Sequence, residues 1–64
     1  MITLNIYHSE GNYMGVKYEK TLKKFIKEAD KGKNVKLISG NREWYINTAL
    51  ILAFEEVKGK WKYL

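Results

Sequence analysis

The chain has 64 residues, 45% of them hydrophobic and 14% aromatic, and carries a formal net charge of +5. That length makes one domain, 1–64, near the lower limit for an apolar core, and the composition is too apolar for disorder. With no cysteine there is no disulfide framework or thiolate zinc site. The longest apolar run, Ala49 to Phe54, is six residues, against the roughly 18 that cross a bilayer, so a cytoplasmic protein without membrane contact is expected.

Ile2, Leu4 and Ile6 alternate with Thr3, Asn5 and Tyr7, the period of a half-buried strand, which predicts a strand over 2–8. Ser9-Glu10-Gly11-Asn12 is a turn cluster. Residues 13–17 read as a short partner strand that Gly15 weakens. Tyr18, Leu22, Phe25, Ile26 and Ala29 then follow helical spacing, with Gly32 where a C-terminal cap belongs. A helix over 18–31 is predicted, although no capping side chain stands just before Tyr18.

Val35 to Ile38 reads as a strand, Ser39-Gly40-Asn41 as a tight connection, and 42–47 as the second strand of a hairpin. The segment 48–58 supports two readings. Ile46, Leu50, Ala53, Phe54 and Val57 would share one helical face closed by Gly59. Such a helix would place Glu55 and Glu56 at the negative end of its dipole. The favoured reading is a turn at Thr48-Ala49, a strand over 51–57, a Lys58-Gly59 turn and a last strand ending at Leu64. The expected fold is α+β, one amphipathic helix packed on a small, mostly antiparallel sheet of four to five strands.

Residues 40–57, Gly-Asn-Arg-Glu-Trp-Tyr-Ile-Asn-Thr-Ala-Leu-Ile-Leu-Ala-Phe-Glu-Glu-Val, are similar to a strand–turn–strand pattern of small bacterial and phage proteins, such as the flagellar FlbD-type proteins. In that pattern a strand ends in Asn, here Asn47, followed by Leu50-Ile51 and by an apolar residue, here Phe54, before Glu55-Glu56. The resemblance implies strand over 51–57 and transfers no functional residue. The helix at 18–31 departs from that family, whose members are mostly strand.

Catalytic chemistry is not expected. His8 is the one histidine, and Ser9, its neighbour, would point to the opposite face of a strand, which denies the pair a simple hydrogen bond. His8 is expected as a surface residue at a turn. The glycines match neither a dinucleotide fingerprint nor a P-loop, and the acids are dispersed apart from Glu55-Glu56, so neither cofactor nor metal is expected.

Charge supplies the stronger signal. On a helix at about 100° per residue, Lys20, Lys23, Lys24, Lys27 and Lys31 form one stripe. Glu19–Lys23 and Lys24–Glu28 offset part of the repulsion within it. The stripe is either a solvated helix face or a surface that meets an anionic partner. Lys58, Lys60, Trp61, Lys62 and Tyr63 form a second basic and aromatic cluster, able to stack bases or to close over the core. Trp44 and Ile46 are expected to face the core, leaving Tyr45 and Arg42 outside.

Two functions fit. One is a non-catalytic protein-interaction module, for example a phage or mobile-element regulator that inhibits a host protein, with an acidic surface on that partner. The other is a nucleic-acid-binding protein without sequence specificity. Arg42 is the only arginine, and arginine's planar fork is the preferred reader of guanine edges. An edge strand could also pair with a second copy. A purely structural subunit is a third reading that no particular residue favours.

Overall fold

The computed structural model describes residues 1–58. It contains β1 (Ile2–His8), β2 (Gly11–Tyr18), α1 (Leu22–Asp30), β3 (Asn34–Ser39), β4 (Arg42–Asn47), a 3₁₀ turn (Thr48–Leu50) and β5 (Ile51–Val57). The expected strand ending at Leu64 lies outside the described residues. All strands join one antiparallel sheet in the order β4-β3-β2-β1-β5, with the helix packed against it, so the expected α+β class is the observed one. Among the described residues no helix is long and apolar enough to cross a membrane.

The connection from β4 to β5 dictates the shape of this sheet. The two strands lie at opposite edges, yet three residues join them. Laid flat, edges four strand spacings apart would be separated by roughly 19 Å, at about 4.8 Å per spacing. Three residues of 3₁₀ helix rise only about 6 Å. The sheet must therefore coil until its edges approach.

Two bulges beside β1 supply curvature. Leu4 pairs with Val16 and Ile6 with Tyr13, so Met14 and Gly15 together oppose Asn5. Tyr7 pairs with Ala53 and His8 with Ile51, leaving Leu52 as the extra residue. An extra residue bends its strand and raises the local twist. Gly15 adopts φ +64°, a left-handed conformation that costs a side-chain-bearing residue about 1–2 kcal/mol. Its N–H is held by Asn5 Oδ1 at 2.8 Å.

Coiling turns one face inward. Leu4 and Ile6 of β1, Val16 and Tyr18 of β2, Val35 and Leu37 of β3, and Ile46 of β4 are buried there. Helix α1 contributes Phe25, fully buried, with its ring 5.1 Å from Tyr18 and 4.8 Å from Phe54 of β5, both edge to face.

The helix starts later than its apolar spacing predicts. Thr21 is the N-cap, its hydroxyl accepting from the Lys24 N–H at 3.1 Å. Tyr18 ends β2 and reaches the core from the sheet, though its position four residues before Leu22 also suits a helix. At the other end the Gly32 N–H donates to the Ala29 carbonyl and the Lys33 N–H to the Glu28 carbonyl, a Schellman cap. The segment 51–57 is strand, and its 3₁₀ entry is capped by Asn47 Oδ1, which accepts from the Ala49 N–H at 2.9 Å.

Candidate binding surface

The expected stripe of five lysines is divided by the true helix boundaries. Lys23, Lys24 and Lys27 lie on α1, Lys20 precedes the cap in the corner from β2, and Lys31 is the C-cap. Lys24 is half-buried and pairs with Glu28 at 3.5 Å, as its spacing predicts. Glu19, expected to offset Lys23, instead reaches across to Lys36 on β3 at 3.4 Å. Lys23, Lys27 and Lys31 are exposed and belong to no ion pair among the described residues. Lys60, Trp61 and Lys62 lie outside the described residues.

Lys20 joins a different group. The corner between β2 and α1, the helix itself and the hairpin β3–β4 enclose a cleft of about 240 Å³. Tyr45 forms one wall, and Lys20, Lys36, Glu19 and Glu28 place both signs of charge around it. Strand alternation accounts for Tyr45: Trp44 and Ile46 turn inward, and Tyr45 projects from the outer face with 66% of its surface exposed. Lys36, paired across the strands with Tyr45, also holds Glu43 at 3.9 Å.

Arg42 belongs elsewhere. It pairs with Ser39 at the hairpin end, two residues from Trp44 and therefore on the opposite face from Tyr45. With Ser39, Glu43 and Trp44 it lines a second concavity of about 340 Å³. The Trp44 indole N–H is buried and has no acceptor among the described residues. Tyr45 and Arg42 are thus both outside the core, as expected, but they face two concavities on either side of β4.

The cleft holds two shifted titrations. Tyr18 is buried but lines the cleft. Burial, and secondarily the Glu28 carboxylate, raise its hydroxyl pKa above the usual tyrosine value. Lys36 is raised chiefly by Glu19 and then by Glu43. Both shifts act in the same direction. Above pH of about 10 the unfolded chain releases the Tyr18 proton while the folded chain retains it. The stabilisation from charged Lys36 is complete below its unfolded pKa and is lost as pH rises through its folded one. Stability should therefore fall in the alkaline range. Thermal melts from pH 8 to 11 should show this fall, and Tyr18→Phe combined with Lys36→Gln should make it shallower.

Sequence reasoning missed His8. The alternation Leu4, Ile6, His8 continues inward, and the ring is buried rather than displayed at the turn. Its Nδ1 accepts from the Glu10 N–H at 3.2 Å, which leaves Nε2 as the protonated nitrogen, donating to the Asn47 carbonyl at 3.1 Å. Both ring nitrogens thus serve the backbone. A second group, on the outer face, was equally hidden: Asn5 Nδ2 and the Tyr7 hydroxyl donate to Glu55 Oε2 at 3.2 and 3.4 Å.

No protein-family model, no curated protein and no solved structure matches the chain.

Proposed function

We propose that this chain is a non-catalytic protein-interaction module whose contact surface centres on Tyr45. The observation that carries this reading is an aromatic side chain two-thirds exposed on the wall of a cleft edged by lysines and glutamates. Exposed tyrosine supplies large contact area for few frozen torsions and is enriched among the residues that dominate binding energy. Alternating charge suits a protein surface with its own mixed polarity. A polyphosphate backbone would meet Glu19 and Glu28 as repulsive neighbours.

Replacing Tyr45 with a photo-crosslinking phenylalanine should capture a protein from a lysate of the source cell. The isolated partner should bind Tyr45→Ala at least tenfold more weakly than the parent. The variant should remain folded, within about 0.5 kcal/mol, because the side chain is mostly exposed. Equal affinity for both proteins would overturn the reading.

A second reading rests on Lys23, Lys27 and Lys31, exposed and free of ion pairs among the described residues. Such a surface could follow a nucleic-acid backbone. Random-sequence single- and double-stranded DNA and RNA, titrated across a salt series, separate the two. Micromolar binding that falls steeply with salt and is lost in a triple lysine-to-glutamine variant would favour nucleic acid.

A further inference from the structure

Among the described residues the sheet has two edge strands, and they are not equally open. The β5 edge carries the Leu52 bulge and the adjacent carboxylates Glu55 and Glu56, features that discourage edge pairing. Strand β4 has no bulge: its register with β3 runs unbroken from Asn34↔Asn47 to Ser39↔Arg42.

That register fixes which backbone groups of β4 are spoken for. Gly40 and Asn41 form a two-residue connection, with φ +61° at Gly40 and no positive φ at Asn41. These are the marks of a type II′ turn, which closes on a hydrogen-bonded pair, Ser39–Arg42. In an antiparallel ladder hydrogen-bonded and non-hydrogen-bonded pairs alternate. Arg42, Trp44 and Ile46 therefore address β3, while Glu43, Tyr45 and Asn47 present their N–H and C=O groups to the other side. His8 occupies the Asn47 carbonyl at 3.1 Å. No described strand pairs with this side at Glu43 or Tyr45, and both residues are exposed.

We propose that an extended acidic peptide segment of a partner protein adds as a sixth strand along β4, hydrogen-bonded to the main chain of Glu43 and Tyr45. The proposal rests on the protein-interaction reading and names its mode and the chemistry of the partner. Main-chain pairing supplies affinity in such strand addition, and flanking side chains supply selectivity. On one flank stands Tyr45, which packs against an apolar side chain of the segment. On the other is the concavity lined by Ser39, Arg42, Glu43 and Trp44. Lys36 is already shared by Glu19 and Glu43, whereas Arg42 has no ion pair among the described residues. A segment carboxylate placed beside Trp44 meets that guanidinium in the two-pronged geometry arginine favours. The net charge of +5 favours an acidic segment over a basic one at longer range.

The test uses the full chain, isotope-labelled, and two eight-residue peptides. One alternates glutamate with valine and threonine, and the other has lysine in place of each glutamate. The acidic peptide should shift the amide resonances of Glu43 and Tyr45 and slow their hydrogen exchange, and the lysine peptide should bind at least tenfold more weakly. Glu43→Pro removes an outward N–H while leaving the ladder to β3 intact, and should cost at least tenfold in affinity. Should that variant fail to fold, Arg42→Glu serves instead and should reverse the preference between the peptides. Amide protection that rises with protein concentration alone would assign the edge to a second copy and overturn the proposal. Perturbation of the same amides by single-stranded DNA and by neither peptide would also overturn it. Absence of peptide binding, with crosslinking at position 45 retained, would overturn strand addition and leave the protein-interaction reading standing. Loss of both would remove the two together.

Discussion

Phe25→Ala should leave the domain largely unfolded at room temperature. Phe25 is completely buried and is the buried side chain through which the helix enters the core. Its ring meets Tyr18 and Phe54 edge to face, so it joins β2 to β5, strands that do not pair with each other. Truncating a buried phenylalanine costs about 3–5 kcal/mol. In a domain of this size a single apolar core rarely supplies more than about 3–5 kcal/mol of net stability. The expected signature is loss of cooperative melting in circular dichroism. Phe25→Leu should keep a cooperative transition at lower temperature, because it retains most of the apolar volume. A fully cooperative, little-shifted melt for the alanine variant would mean that the helix is anchored by other contacts.

His8→Leu should destabilise the domain by about 2–4 kcal/mol, measured by denaturant unfolding, even though it makes the core more apolar. The imidazole answers two backbone groups, the Glu10 N–H and the Asn47 carbonyl. Leucine answers neither, and each partly buried group left unsatisfied costs about 1–3 kcal/mol. The Asn47 contact also ties the end of β1 to the end of β4, beside the 3₁₀ turn. Thr48 makes a comparable tie there, its hydroxyl donating to the Lys33 carbonyl at 2.6 Å. A measured change below about 0.5 kcal/mol would show that water satisfies both groups at no cost.

What the residues revealed unaided follows from the range over which their interactions act. Apolar patterning located β1, β3 and β4 within a residue or two and oriented Tyr45 outward, because the pleat is a local property of the chain. Strand β5, by contrast, was favoured over a helix only by the dipole penalty at Glu55 and Glu56 and by the resemblance over 40–57. The start of α1 was misplaced because Tyr18 fits two periods at once, i to i+4 with Leu22 and i to i+2 with Val16. Thr21 was a capping signal overlooked between Glu19, Lys20 and the lysines that follow. His8 was legible in principle, as the third inward residue after Leu4 and Ile6, but its polarity suggested the surface. The cleft could not be read at all. Lys20, Glu28, Lys36 and Tyr45 come from separate elements, and only the corner at Glu19-Lys20 and the pairing of β3 with β4 bring them together. Strand order was beyond local reasoning for the same reason.

The short link between the two edge strands has a kinetic consequence. Strand β1 pairs on one side with β2, its neighbour along the chain, and on the other with β5, so that Asn5 and Glu55 meet from 50 positions apart. The loop entropy of that meeting must be spent before the β1–β5 ladder returns any energy. Hairpins β1–β2 and β3–β4 can form early and alone, within microseconds. Forming the β1–β5 ladder should then set the folding rate, in the range of milliseconds to seconds usual for non-local sheet topologies. Substitutions that weaken the β3–β4 hairpin, already formed at that barrier, should therefore slow folding, and those in β5 should do so in proportion to how far the β1–β5 ladder has formed there.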